Sequence, residues 1–166
     1  GVRTLFNLLG PLANPAQAEY QLLGVYSQQL TRTVAEALRQ LGSEGAMVVH
    51  CDGMDEIGLH AVTYGHQLVA GEVRELRLDP QEFGIARVAP AALQGGVDKH
   101  ANAVMLREAL AGEMGPRSDV VAINAGAALY VAQRAATLAD GLAMAREVMR
   151  RGRAVRVLDR YIESSQ

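Results

Sequence analysis

The sequence predicts an α/β domain with a helical C-terminal half. Three observations carry that expectation. A buried strand, an amphipathic helix and a second buried strand follow one another between Tyr20 and His50; a glycine-punctuated strand pair comes next; helical stretches fill the chain from Ala101 onward.

The opening, Gly1 to Ala16, has apolar residues that fit neither a helical nor a strand period, and Gly10-Pro11 and Asn14-Pro15 mark turns. Tyr20 to Ser27 is a short apolar run expected as a buried strand. Over Leu30 to Leu41, Leu30, Val34, Ala37, Leu38 and Leu41 share one helical face, with Gly42 as the stop. Ala46 to His50 is a second buried strand, and strand–helix–strand at these lengths implies a crossover between parallel neighbours. Between His60 and Leu78 short strands joined by glycine turns read as a hairpin, which Asp79-Pro80 ends. A loop runs on through Pro90 and Gly95-Gly96. Helices are then expected over Ala101 to Leu110, with Ala101, Val104, Met105 and Leu106 on one face, and over Ser118 to Ala136, alanine-rich enough to be packed inside the domain. Two more are expected over Ala139 to Arg151 and Val155 to Glu163.

Composition narrows the function. In 166 residues, 49% are hydrophobic and 20% charged, with net charge −2, so the chain has the material for a core and is not a disordered segment. The weakly acidic balance argues against nucleic acid or an anionic membrane as the main partner. The single cysteine, Cys51, excludes an intramolecular disulfide and makes a reducing, cytoplasmic setting the expectation. No apolar run reaches the ~18 to 20 residues of a membrane span.

The segment from His50 to Glu56 is the most informative stretch. Asp52, Asp55 and Glu56 crowd a glycine-broken loop directly after a buried strand, where α/β sheets bind ligands beyond the carboxyl ends of their strands. Such carboxylates repel one another unless a cation compensates, and Mg²⁺ takes one or two carboxylates plus substrate phosphates. A solvated turn whose aspartates cap the next element accounts for the same spacing. His50 reads as a general base or positioning group, or as a strand-end histidine bonded to backbone. His60, His66 and His100 have no ligand spacing and read as surface or packing residues. Gly95-Gly96-Val97-Asp98 fits a turn with Asp98 as N-cap better than an anion cradle. Arg150, Arg151, Arg153 and Arg156, offset by Glu147 and Asp159, read as a solvated helix face.

Two long motifs, GVRTLFNLLGPLANPA and VVHCDGMDEIG, closely resemble the anthranilate phosphoribosyltransferases of tryptophan biosynthesis. So do Leu93-Gln94-Gly95-Gly96, Asn102-Ala103 and the run from Asp119 to Tyr130, and the match extends in order over essentially the whole chain. The resemblance implies transfer of the 5-phosphoribosyl group of phosphoribosyl pyrophosphate to the amino group of anthranilate, with release of pyrophosphate. It implies Mg²⁺ as cofactor, with Asp55 and Glu56 on the family's metal-binding pair. Gly10 and Pro11 fall on the wall of the anthranilate channel, and His50 on a histidine for which only a supporting role is assigned. Cys51 stands where the family commonly has glycine or serine.

The implied fold is a nucleoside phosphorylase-like catalytic domain, here an incomplete, mostly parallel sheet with an antiparallel hairpin, flanked by helices. The family's GTGGD loop and KHGNR-type segment, which hold the phosphoribosyl donor, occur nowhere in these 166 residues. The acceptor-binding arginine and the small helical dimerisation domain would precede Gly1. The expectation is therefore a C-terminal part of one α/β domain, inactive alone, prone to association, from a protein that is homodimeric at full length. A competing expectation is a nucleic-acid-binding relative of the same fold, which should be basic and lack the acid pair. A pyrimidine nucleoside phosphorylase should lack LGPL-x-NP, and a purely structural domain should show no metal-dependent ligand binding.

Overall fold

The computed structural model describes residues 10, 12 and 18–165. Most of the opening segment, Pro11 included, lies outside the described residues. Strand β1 (Tyr20–Gly24) leads into helix α1 (Leu30–Gln40), which returns the chain to strand β2 (Gly45–His50). Strands β3 (Thr63–Val69) and β4 (Glu72–Leu78) follow, then two short 3₁₀ turns at Pro80–Phe83 and Pro90–Leu93. Helices α2 (Lys99–Leu110), α3 (Pro116–Val131), α4 (Leu138–Arg150) and α5 (Arg153–Ser164) complete the described residues.

The strands form one sheet in the order β1-β2-β3-β4. The crossover through α1 makes β1 and β2 parallel, with Tyr20 opposite Gly45 and Gly24 opposite Val49. Strands β2 and β3 are antiparallel, as are β3 and β4. The α/β class stands, but the described sheet is mixed rather than mostly parallel. The cause is local: no helix lies between β2 and β3, and without a crossover the chain can only turn back alongside itself. The β3–β4 hairpin closes on Ala70-Gly71, whose φ angles of 50° and 78° are the paired left-handed values of a type I′ turn.

Successive residues of β2 point to opposite faces, and both faces are covered. Ala46 and Val48 pack with Val34, Ala35 and Leu38 of α1. Met47 and Val49 join Ile57, Leu59, Ile123, Ala127, Leu142 and Met149 on the side of α3 and α4. That double burial is why β2 reads as an unbroken apolar run. Leu41, expected on the buried face of α1, follows the last helical residue and is exposed.

Helix α3 ends earlier than its alanine content suggests. The chain breaks at Gln133 with φ 56°, and Thr137 Oγ1 then accepts the Asp140 N–H to start α4. One face of α3 is buried, through Ala122, Ile123, Gly126 and Ala127, while Ala125 and Ala128 are exposed. Helices α3 and α4 touch backbone to backbone: a Cβ built on Gly126 would lie 2.5 Å from Leu142 N, and one on Gly141 would lie 2.2 Å from Gly126 O. The apolar face expected on α2 is largely open, with Val104 and Leu106 exposed and Ala109 alone buried. Asp98 caps α2 as expected, accepting the Ala101 N–H at 2.8 Å.

Asp79 locks the end of the hairpin. Its carboxylate takes Arg87 at 2.7 Å, Arg77 at 3.3 Å and the Gln81 N–H at 3.2 Å. Burial pushes the carboxyl up, but the Arg87 and Gln81 hydrogen bonds and the two guanidinium charges outweigh it and hold it below the ordinary 3.8. Because the folded value is depressed, the stabilisation is complete above 3.8 and fades as pH falls through the lower folded value. Asp79→Asn is therefore expected to lower Tm near neutral pH and to lose most of that difference below 3.8, as thermal unfolding at the two pH values would report.

Candidate functional site

The acidic segment sits beyond the carboxyl ends of the parallel pair, as its place after β2 predicts. Cys51 and Met54 exchange two backbone hydrogen bonds, Cys51 N–H to Met54 O at 2.9 Å and Met54 N–H to Cys51 O at 2.8 Å. Between them Asp52 and Gly53 adopt φ of 35° and 90°, a left-handed pair that Asp tolerates and Gly favours. This turn reverses the chain at the strand end and carries Asp55 and Glu56 back over the end of β1.

There they meet Gly24, the last residue of β1. A Cβ built on Gly24 would fall 1.4 Å from the Asp55 carbonyl oxygen and 2.2 Å from its carbon. No side chain fits between β1 and the acidic loop. His50 ties the same elements together, its Nδ1 donating to Val25 O at 2.8 Å and its Nε2 accepting the Gly53 N–H at 3.2 Å. Both ring nitrogens are thus committed to backbone, an arrangement that leaves no free base and stiffens the turn. His60 Nε2 donates to Asp52 O at 3.2 Å from the other side. Cys51 is fully buried beneath the turn, its Sγ 3.6 Å from Ala61 O. Gly58 gives it room, since a Cβ there would lie 2.6 Å from the sulfur.

Asp55 is exposed and Glu56 half-buried. Burial, and then the neighbouring Asp55 charge, push the Glu56 carboxyl above its usual range. Among the described residues neither carboxylate has an ion-pair partner, although Asp79, Asp119, Glu147 and Asp159 all pair with arginines. Two adjacent acids, one half-buried and both without a counter-ion among the described residues, fit a divalent cation by charge. No group of three or more His, Cys, Asp or Glu gathers there or elsewhere among the described residues, so the pair lacks the donors of an all-protein cage. Mg²⁺ held by two carboxylates and completed by substrate phosphates matches that donor set.

The other predicted positions separate from this cluster. Gly10 is exposed, and a Cβ there would meet nothing within 4 Å; Pro11 lies outside the described residues. His66 Nδ1 donates to Thr31 Oγ1 at 2.9 Å on the α1 side of the sheet, where burial lowers its pKa. Glu147 pairs with Arg150 and Arg151, but Asp159 bonds Arg107 of α2 rather than the basic run. Sequence reasoning missed two residues here. Gly24 looks like any strand glycine, and Asn124 of α3 like any helical amide. Asn124 Oδ1 accepts the Ile57 N–H at 3.0 Å, and its Nδ2 donates to Ile57 O and Val120 O, each at 2.9 Å.

A mixed sheet packed between α1 and the α3–α4 pair, with an acid pair at the ends of its parallel strands, defines an α/β domain with an acidic site at its strand ends. Residues 1–155 match the family model described as glycosyl transferase family, a/b domain, and the chain belongs to that family. It is 48% identical over 167 residues to an anthranilate phosphoribosyltransferase of Alkalilimnicola ehrlichii, covering 100% of this chain and 49% of that protein. The crystal structure of anthranilate phosphoribosyltransferase from Thermus thermophilus superposes with TM-score 0.88 at 43% identity, covering 98% of this chain and 48% of that one. The Saccharomyces cerevisiae enzyme in complex with PRPP and Mg superposes at 0.85 with 26% identity, covering 99% of this chain and 48% of that one. The chain thus spans about half the length of the curated relatives it matches. No helix among the described residues is long and apolar enough to cross a membrane.

Proposed function

We propose that this chain is the C-terminal part of the catalytic α/β domain of an anthranilate phosphoribosyltransferase. The reaction moves the 5-phosphoribosyl group of phosphoribosyl pyrophosphate onto the amino nitrogen of anthranilate and releases pyrophosphate. The observation that carries the reading is the acid pair Asp55–Glu56 at the strand ends, without a cationic partner among the described residues and with Glu56 pushed up by burial and by Asp55, in a chain 48% identical to such an enzyme. The pair would hold Mg²⁺, and bound there the ion would neutralise charge on the departing pyrophosphate.

The chain's own residues have three tasks in this reading. Asp55 and Glu56 present oxygen donors; His50 and Gly24 fix the loop that carries them; Gly10 and Pro11 flank the ring of the acceptor. The pyrophosphate and ribose 5-phosphate need further cradling, for which the 166 residues contain no glycine-rich GTGGD loop. The full-length protein is read as a cytoplasmic homodimer without nucleic-acid or membrane partners. The net charge of −2 in these 166 residues supports only the last part, the lack of a polyanionic partner for this portion.

The test is a fluorescence assay of phosphoribosylanthranilate formation. Full-length protein should turn over only with Mg²⁺ and phosphoribosyl pyrophosphate together, and the isolated 166-residue chain should show no turnover. Phosphorolysis of a pyrimidine nucleoside with no anthranilate transfer would overturn the assignment, and activity of the isolated chain would overturn its dependence on donor-binding residues elsewhere.

A further inference from the structure

We infer that Asn124 is a positioning residue for the metal-binding pair, acting through the backbone of Ile57. The inference rests on the reading of Asp55 and Glu56 as Mg²⁺ ligands. The residue that Asn124 grips directly follows Glu56. Its Oδ1 takes the Ile57 N–H and one Nδ2 proton goes to Ile57 O, so a single amide meets both polar groups of one residue across 67 positions of sequence. The other Nδ2 proton goes to Val120 O, one turn back along α3, which fixes the amide's rotamer. A side chain that only donates or only accepts cannot make this clamp.

The consequence for Glu56 follows from peptide planarity. The Ile57 N–H belongs to the rigid plane that begins at the Glu56 carbonyl, so holding that N–H orients the plane on the C-terminal side of Glu56. The plane on its N-terminal side begins at the Asp55 carbonyl, which rests against Gly24 at a separation no Cβ could enter. One plane is held by α3 and the other by β1. The Glu56 Cα–Cβ direction is set between them, and only side-chain torsions remain free. Ile57 itself is fully buried among apolar neighbours, so its packing alone would anchor the chain without fixing the tilt of that plane. Helix α3 is in turn seated by its glycine crossing with α4, which makes Asn124 a fixed reference.

The experiment measures transferase rate against Mg²⁺ concentration, and Mg²⁺-dependent pyrophosphate binding by calorimetry in the absence of turnover, in full-length protein for wild type, Asn124→Ala, Asn124→Gln and Val34→Ala. The binding and kinetic shifts should agree. Asn124→Gln keeps the amide while displacing the clamp by one methylene, and Val34→Ala loosens the opposite α1 face as a control for lost stability. Asn124→Ala is expected to raise the half-saturating Mg²⁺ concentration about 10- to 100-fold, the usual cost of removing a group that orients a ligand. Its kcat should recover at high Mg²⁺, and its KM for anthranilate should not move. Asn124→Gln should show a smaller rise, and Val34→Ala none. If Asn124→Ala fails to fold, Asn124→Gln alone decides. Unchanged Mg²⁺ dependence in the folded Asn124 variants, or an equal shift in Val34→Ala, overturns the positioning role. A wild type without Mg²⁺-dependent transfer instead overturns the functional reading on which it rests.

Discussion

Replacing both acids, Asp55→Asn with Glu56→Gln, is expected to remove Mg²⁺-dependent transfer while leaving the fold intact. A metal ion on a departing pyrophosphate supplies several kcal/mol of transition-state stabilisation, and its loss corresponds to a rate decrease of roughly 1,000-fold. Stability should respond in the opposite sense. The two carboxylates are sequence neighbours with no cationic partner among the described residues, and burial and Asp55 both disfavour the charged form of Glu56. Neutral amides of the same size relieve that repulsion, so Tm should hold or rise. Activity lost at constant or increased stability is the mark of groups retained for chemistry at the expense of the apo fold. Steady-state kinetics and thermal unfolding on the same full-length preparation check both halves. A double variant that keeps wild-type turnover would remove the acid pair from the mechanism.

Gly24→Ala is expected to damage the site and the fold together. Its methyl group would be placed 1.4 Å from the Asp55 carbonyl oxygen, and the obstructing atoms are backbone, which cannot swing aside as a side chain does. Either the end of β1 or the acidic loop must move. Inserting a methylene-sized group into a packed core costs about 1–3 kcal/mol, and a backbone clash sits at the upper end of that range. The paired hydrogen bonds of β1 to β2 resist displacement of the strand, so the loop gives way. A shift of even an ångström in a positioned group costs on the order of 100-fold in rate. Melting and Mg²⁺-titrated kinetics should therefore both report a loss, unlike the acid-pair variant, in which only the kinetics do.

The local signals in the sequence lead far into this architecture. The apolar run at Ala46 to His50, the amphipathic face of α1 and the capping role of Asp98 each depend on neighbours a few residues away, and the structure places each as expected apart from Leu41, which falls beyond the end of α1. The direction of β3 is a different kind of information. Alternating residues announce a strand without stating which neighbour it faces, and the mostly parallel expectation yields to the absence of a helix between β2 and β3. Exposure on α2 is equally unreadable: Val104 and Leu106 have the spacing of a core face, yet no described residue packs over them closely enough to bury them. Within the site, the acid loop announces itself by crowding like charges after a strand. Its supports do not. Gly24 matters only because Asp55 returns to it, and Asn124 only because Ile57 lies across 67 residues of chain, a separation that no spacing rule spans.

The lone thiol of the chain lies sealed under the turn that bears the acids, with Gly58 pressed against its sulfur and no surface open to solvent. An alkylating reagent can reach it only when the turn lifts away from the sheet. Cys51 is therefore a built-in clock for that lifting: its labelling rate measures the local opening free energy of the loop. A bound cation or a loosened support would then register as slower or faster alkylation, with no probe added to the protein.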